Sequence, residues 1–290
     1  MKGWLQRSLA RLRCTEPFIF LAIVGVAYLA AAGAPTHYVW INGTSLIAAI
    51  VAIVALGPVR SAPVRYVLVA GAVALLALTL LVGPSVADVQ RWLQMGPVTV
   101  HIGMLVLPAL CALLPSLDDR IAAIVMIGVA AILALQPDAG TSIAWMIASF
   151  ALAVRAYSIW IGIAFVLTLL AWISAAFGAL AGAENLPPVA FVEGVFGYLL
   201  RNEIWWFFPA SGFALWLVFR IGSITADLAA GHMLQSFTYG LFLAAVLRDY
   251  PTPILGYGAA PILGYGLALG LMELQQSRSR EFDDDDFDTY

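Results

Sequence analysis

Two polar segments in an otherwise apolar chain carry the side chains best suited to bind a charged ligand. The first is Asp88-Val-Gln-Arg-Trp-Leu-Gln-Met-Gly-Pro97, in which Arg91 stands beside Trp92. A guanidinium pairs well with phosphate oxygens, and tryptophan favours the headgroup layer of a membrane. Arg91 and Trp92 therefore fit either an interfacial anchor or a binding site for a lipid diphosphate, and the residues leave both interpretations open.

The second segment is Gln136-Pro-Asp-Ala-Gly-Thr-Ser142, between two apolar runs. Pro, Asp and Gly are ordinary turn residues, and Asp138 ahead of Thr141 fits the N-cap of a helix. Polar side chains at membrane depth are costly, which makes them candidates for function. Gln136, Asp138 and Thr141 are therefore candidate substrate-binding residues, with a plain helix cap as the alternative.

A third segment, residues 183–203, holds the candidate catalytic carboxylates. Glu184 and Glu193 lie in apolar sequence, and a desolvated carboxylate there could act as a general base. A solvated surface loop is the alternative.

Histidine and cysteine give no sign of a metal or cofactor site. His37, His101 and His232 fall in different parts of the chain, and Cys14 and Cys111 are expected at different depths. Neither set has metal-ligand spacing, so we expect no metal, no cofactor and no disulfide. The chain also lacks a P-loop, a Gly-x-Ser-x-Gly and a His-Glu-x-x-His motif, and its scattered basic residues give no nucleic-acid footprint.

The elements that must position these residues are membrane helices. The 290 residues are 62% hydrophobic and only 11% charged, whereas a soluble domain carries roughly 25% charged residues. Ten apolar runs come near the ~20 residues that a crossing requires. They predict an all-α integral membrane protein with about ten transmembrane helices, at 17–34, 39–57, 66–83, 97–115, 121–136, 141–154, 158–181, 204–219, 225–246 and 257–273.

Basic residues predict the orientation of these helices, because cytoplasmic loops carry an excess of Lys and Arg. With a cytoplasmic N-terminus, eleven of the 14 basic residues lie in inner segments. The three in outer segments are Arg91, Arg201 and Arg248. We therefore expect both termini in the cytoplasm, with a basic N-terminus (1–16), a polytopic domain (17–273) and a disordered acidic tail (274–290).

A short repeat lies near the C-terminus. Pro253-Ile-Leu-Gly-Tyr-Gly258 recurs as Pro261-Ile-Leu-Gly-Tyr-Gly266. The glycines fit either the close packing of two helices or a broken helix that lines a cavity. Tyr257, in the first copy, is a further candidate. Because Arg91, Asp138 and Tyr257 all lie at predicted outer ends of spans, we expect them to converge on one outward-opening cavity.

Three of these segments, taken in order, resemble motifs of the SEDS family (shape, elongation, division and sporulation). Leu135-Gln-Pro-Asp-Ala-Gly-Thr-Ser142 resembles the family's Gln-Pro-Asp-Leu-Gly-Thr, and Arg91-Trp-Leu-Gln-Met-Gly-Pro97 resembles its Arg-Trp…Gly segment. Pro253-Ile-Leu-Gly-Tyr-Gly-Ala-Ala260 is similar to its Leu-Pro-Phe-Ile-Ser-Tyr-Gly-Gly-Ser-Ser. Asp227 and Gln235 fall where the family has an Asp and a Gln.

The resemblance covers about residues 88–272 and implies a ten-span fold in the bacterial inner membrane, with both termini inside. It also implies a glycosyltransferase that polymerises lipid II, an undecaprenyl-diphosphate precursor, together with a class B penicillin-binding protein. The family's essential Asp, in a pattern like Leu-Pro-Glu-x-His-Thr-Asp-Phe, has no counterpart here. One register places Val192 at that position with Glu193 beside it, and another leaves Glu184 nearest.

The sequence is thus compatible with three functions. One is a cell-wall glycosyltransferase that uses Glu184 or Glu193 as base and Arg91, Arg201 and Arg248 on the diphosphate. The second is a non-catalytic subunit that keeps the fold and binds a lipid or a partner. The third is a transporter of the lipid-linked precursor, for which Gly and Pro breaks would serve.

Overall fold

The structure of the chain is a computed structural model that describes residues 2–85, 89–96, 98–178, 189–247 and 250–274. Helices dominate this part of the chain, with one two-stranded hairpin, β1 (Trp92–Met95) and β2 (Val98–His101). The α-helices are α1 (Lys2–Cys14), α2 (Glu16–Ala31), α3 (Thr36–Ala55), α4 (Ala62–Val82), α5 (Ile102–Leu113), α6 (Asp119–Leu135), α7 (Ala139–Ala156), α8 (Ile159–Gly178), α9 (Val195–Asn202), α10 (Ile204–Ile221), α11 (Leu228–Leu247) and α12 (Ala259–Leu271).

Each of the ten predicted apolar runs overlaps one of these helices. Among the described residues, six helices are long and apolar enough to cross a membrane, namely α3, α4, α7, α8, α10 and α11. Helices α1 and α2 meet at a bend of 69° and would together make a seventh crossing. Helices α5 and α12 are apolar but shorter. This is the architecture of a multi-pass membrane protein, while the count of ten crossings stays a prediction.

The hairpin corrects the all-α expectation and the limits of the predicted span 97–115. Strands β1 and β2 pair antiparallel with Trp92 opposite His101. The β-branched residues Val98, Thr99 and Val100 favour extended backbone, and Gly96 adopts a φ of 63°, which glycine tolerates best. Helix α5 therefore begins only at Ile102.

Close packing of small residues joins the helices. Helix α7 packs on α11 and α8, α12 packs on α3 and α5, and α2 packs on α10. A Cβ added to Gly240 of α11 would lie 2.5 Å from Cα of Ala144, and one added to Gly266 of α12 would lie 2.6 Å from Cα of Ala49. Such glycines let helix backbones approach closely, as in other membrane bundles.

The two ends of the bundle differ in chemistry. At the arginine end, defined by Arg11, Arg60, Arg65 and Arg155, the Arg11 guanidinium donates to the Ile53 carbonyl (2.6 Å) and the Gly270 carbonyl (2.7 Å) near the ends of α3 and α12. A cation at helix C-termini is electrostatically favourable. The opposite, hairpin end holds β1–β2, the turn 136–138, helix α9 and the loop 250–258. Most of the predicted acidic tail, from 275 onward, lies outside the described residues.

Candidate functional site

Arg91 and Asp138, two of the three residues predicted to converge, meet at the hairpin end. The Arg91 side chain, just ahead of β1, is 4% exposed, and that of Asp138, just ahead of α7, is 0% exposed. Nη1 of Arg91 lies 3.7 Å from Oδ1 of Asp138. Removal of one member of such a buried ion pair strongly destabilises the folded protein, because the other charge loses its compensation.

Asp138 is the helix cap that the sequence offered as one alternative, and its carboxylate also contacts distant segments. Its Oδ1 accepts a hydrogen bond from the Thr141 backbone N–H (3.0 Å), so it caps α7. The same oxygen accepts from the Tyr250 hydroxyl at 2.6 Å. Burial alone would raise the pKa of the Asp138 carboxyl, but His101, Arg91 and Tyr250 together hold that pKa below its usual range. Asp138 is therefore an anion at neutral pH.

His101 completes the surroundings of the carboxylate. Its Nδ1 accepts a hydrogen bond from the Met104 backbone N–H (3.3 Å), which caps α5. That bond assigns the ring proton to Nε2, and Nε2 lies 3.3 Å from Oδ2 of Asp138. The contact does not meet hydrogen-bond geometry, so Oδ2 is a buried oxygen without a hydrogen bond in the described part of the chain.

Tyr250 links this cluster to the loop after α11. Its ring lies 5.4 Å from the Arg91 guanidinium, which also lies over the Trp92 ring at 4.6 Å. Its hydroxyl also hydrogen-bonds the Thr141 hydroxyl. Burial and the adjacent Asp138 raise the pKa of Tyr250 well above its usual value, so the phenol keeps its proton and acts as a donor. Arg91, His101, Asp138, Thr141 and Tyr250 are called the hairpin-end cluster below.

Gln136 fastens the turn before Asp138 to a third helix. Its Nε2 donates to the Thr79 hydroxyl (2.5 Å) and to the Leu76 carbonyl (3.2 Å), both near the end of α4. Gln136 is fully buried. Its side chain therefore fixes α6 against α4, and its predicted role in substrate binding stays a prediction.

The loop 250–258 joins the hairpin-end cluster to the candidate base Glu193. The Thr252 N–H donates to the Val192 carbonyl (2.8 Å), and the Tyr257 N–H donates to the Phe191 carbonyl (2.7 Å). Asn42 of α3 holds the loop from the other side, since its Nδ2 donates to the Gly256 carbonyl and its Oδ1 accepts from the Gly258 N–H, each at 3.0 Å. One loop thus sets the position of both regions.

Three other predicted site residues that the structure describes, Tyr257, Arg201 and Glu193, lie outside the hairpin-end cluster. The Tyr257 ring stacks on Tyr38 with ring centroids 3.6 Å apart. Arg201 is exposed near the end of α9. The Glu193 carboxylate accepts from the Val189 backbone N–H at 2.9 Å. Glu184 and Arg248 fall outside the described residues.

Sequence reasoning missed His101, Tyr250 and Asn42. His101 looked like a lone histidine in an apolar run, and Tyr250 and Asn42 stood outside every quoted motif. The sequence signal for these residues was weak. A polar residue in an apolar run indicates that its side chain needs a polar partner, but it does not indicate which one. In the described residues no three His, Cys, Asp or Glu side chains group as metal ligands.

No protein-family profile and no curated protein sequence matches the chain. Solved structures do. The Thermus thermophilus rod shape determining protein RodA aligns over 90% of this chain and 94% of its own, with a TM-score of 0.63 at 18% identity. A point mutant of that RodA gives the same TM-score at 17% identity, over 90% of this chain and 95% of its own. A peptidoglycan synthase complex that coordinates polymerization and crosslinking contains a chain with a TM-score of 0.58 at 18% identity, over 88% of this chain and 95% of its own. The chain therefore has the RodA-like SEDS fold that its motifs predict.

Proposed function

We propose that this chain is a SEDS-like protein of peptidoglycan synthesis, in cell shape or division, in the bacterial inner membrane. The observation that supports it is the hairpin-end cluster, because the two motifs that resemble the family, around Arg91 and Asp138, meet there within a RodA-like fold. The substrate would be an undecaprenyl-diphosphate precursor, whose sugars project from the outer face of the membrane.

The proposed reaction is glycosyl transfer. A carboxylate, Glu184 or Glu193, would take the proton of the acceptor sugar hydroxyl. The hydroxyl oxygen would then bond to the anomeric carbon of the donor sugar, and the lipid diphosphate would leave from that carbon. Arg201 and Arg248 would steady the charge on the diphosphate. Arg91 already faces Asp138 inside the protein, so we assign it chiefly to positioning the hairpin at the site.

Polymerisation of lipid II by the purified protein, with and without its class B penicillin-binding protein, tests this function. Loss of a general base costs about 10²–10⁴-fold in rate. Glu184→Gln or Glu193→Gln should therefore abolish the glycan strands seen with the parent protein, whereas Glu203→Gln, at the start of α10, should not. Full activity of the Glu184→Gln/Glu193→Gln double variant would exclude both carboxylates as the base.

A non-catalytic subunit is the second candidate, and one feature of the bundle favours it. An apolar groove of about 660 Å³ runs between α9, α10 and α11, lined by residues that include Phe196, Ala214, Phe219, Tyr239 and Val246. A groove of this kind in the membrane would fit a partner helix or a lipid chain. Absence of any glycan product, combined with co-purification of the penicillin-binding protein, would favour this function over catalysis.

A further inference from the structure

A cavity of about 240 Å³ lies at the arginine end, at the opposite end of the bundle from the hairpin-end cluster. The segment before α4, the end of α5, the start of α11 and the end of α12 form its walls. Four charged residues line it, with Arg60 and Arg65 from one wall, Asp227 from a second and Glu273 from a third. Two positive and two negative side chains thus line one small cavity.

These charges do not neutralise one another within the described residues. No ion pair within 4.0 Å joins either arginine to Asp227 or Glu273 there. Nε of Arg65 is buried without a hydrogen bond to the described part of the chain. Asp227 uses Oδ1 to cap α11, accepting from the N–H groups of Ala229 (2.9 Å) and Ala230 (3.2 Å). A ligand group with both a negative and a positive charge could therefore bind between the arginines and the two carboxylates.

The hydroxyls of the cavity add acceptors but no free donors. The Ser116 hydroxyl donates to the Leu113 carbonyl (2.7 Å), and the Thr225 hydroxyl donates to the Asp227 carbonyl (3.0 Å). Their protons are committed, so their oxygens present lone pairs. The lining therefore offers cationic donors from Arg60 and Arg65 and acceptors from the other walls, which matches a ligand with a phosphate and an ammonium.

Helix α4 gives such a ligand access from the membrane. Val64, Val67 and Leu68, which flank Arg65 in the sequence, are exposed, and exposed apolar side chains on a membrane helix contact lipid. A lipid whose chains lay along α4 would have its headgroup at the level of Arg65. Long basic side chains near helix ends commonly reach the headgroup layer in this way.

We propose that this cavity binds the headgroup of a zwitterionic aminophospholipid. Arg60 and Arg65 hold its phosphate, and Asp227, Glu273 and the hydroxyl oxygens accept hydrogen bonds from its primary ammonium. The site is independent of the proposed glycosyltransferase reaction, because none of its residues lies at the hairpin end.

The test uses the full-length protein in detergent with dioctanoyl phosphatidylethanolamine, phosphatidylcholine and phosphatidylglycerol. Binding is measured as the rise in thermal unfolding midpoint with lipid concentration. Phosphatidylethanolamine should bind about tenfold or more tightly than phosphatidylcholine, whose quaternary ammonium has no N–H to donate. Inorganic phosphate serves as the probe for a soluble anion and should not compete at equal concentration.

Three variants separate the contributions. Arg60→Gln/Arg65→Gln should weaken phosphatidylethanolamine binding by about tenfold or more, and Glu273→Gln should reduce the preference over phosphatidylcholine. Glu273 is exposed, so this variant serves even if the arginine variant fails to fold. The control is Arg120→Gln, whose guanidinium lies over the Trp160 ring at 5.2 Å and not in the cavity. Equal affinity for the three lipids, competition by inorganic phosphate, or binding unchanged in both cavity variants would overturn the proposal.

Discussion

Asp138 is the residue on which the hairpin end depends. Its carboxylate is fully buried and contacts groups from the hairpin, from α7 and from the loop after α11. Together these contacts join segments that are far apart in the sequence, since Tyr250 lies 112 residues from Asp138. A buried polar network of this kind rigidifies a site when its members are satisfied and destabilises it when one is lost.

Removal of one charge at this position should therefore be costly. We expect Asp138→Asn to lower the free energy of unfolding by about 3–5 kcal/mol, because the buried Arg91 would lose its attraction to the Asp138 charge. Asparagine can still cap α7 and accept from Tyr250, so the loss reports the charge. The measurement is thermal or denaturant unfolding in detergent.

The double variant gives the internal control. Arg91→Gln/Asp138→Asn removes both charges, so it should cost less than the sum of the two single changes. Strict additivity of the two would show that the pair does not interact.

Gly140 gives a second prediction at the residue scale. A Cβ at Gly140 would lie 2.3 Å from the Tyr250 ring, so Gly140→Ala should push Tyr250 away from Asp138 and cost about 1–3 kcal/mol. Gly128→Ala in α6 is the matched control, because nothing lies within 4 Å of its added Cβ. Alanine there should be neutral or raise the midpoint slightly, since it favours helix over glycine. Equal midpoints for the two variants would argue against the close contact.

The sequence could predict part of this site and not the rest. Positions at the outer ends of spans were enough to expect that Arg91 and Asp138 meet. The same argument included Tyr257, which stacks on Tyr38 outside the cluster. His101 and Tyr250 could not be found, because hydrophobic periodicity gives only which side chains share a helix face and carries nothing about contacts between separate segments. The hairpin was missed because Val98–Val100 is as apolar as a helix, and short apolar runs do not distinguish the two.

At the scale of elements, the loop 250–258 is held by an asparagine from another helix. Asn42 is fully buried and bonds the backbone of Gly256 and Gly258. Asn42→Leu should leave both backbone groups unpaired, at a cost of about 1–3 kcal/mol for each buried group. We expect faster amide hydrogen exchange in 250–258, with weaker protection at Phe191–Glu193.

The control for this loop is Thr44, two residues after Asn42 in α3. Thr44 is exposed, and its hydroxyl bonds only carbonyls of its own helix, those of Trp40 and Ile41. Thr44→Val should leave exchange in the loop unchanged. If Asn42→Leu also left it unchanged, the loop would not depend on the asparagine.

The internal repeat shows how context decides structure at this scale. The first copy, Pro253–Gly258, is a loop in which Ile254 has a φ of 67°, whereas the second copy begins within α12. In the second copy, Cβ atoms at Gly264 and Gly266 would meet the backbone of Met104 and Ala49, which is the close packing that the sequence offered as one alternative. The second copy packs between α3 and α5, whereas the backbone of the first copy bonds the Asn42 side chain and the Phe191 carbonyl. Identical hexapeptides thus take different structures in different surroundings.

At the scale of the whole molecule, the bundle is polarised in charge. The described arginines predicted to be cytoplasmic include Arg11 near the ends of α3 and α12, Arg60 and Arg65 in the cavity, and Arg155, which bonds His232 at 3.2 Å. Arg91 and Arg201 belong to the other end. These arginines of the predicted inner segments thus lie together at one end of the bundle, which supports that end as the cytoplasmic one.

The last prediction concerns the orientation of the chain in the membrane. Eleven of the 14 basic residues fall in predicted inner segments, and the bias of Lys and Arg sets orientation. A green fluorescent protein fused after Tyr290 should therefore fluoresce, and alkaline phosphatase fused there should be inactive. Alkaline phosphatase fused after Ala34, between α2 and α3, is the matched control and should be active, because one crossing exports it. Active phosphatase after Tyr290 would mean that the number of crossings is odd or that the N-terminus is outside, and the hairpin end would then lose its assignment as the outer site.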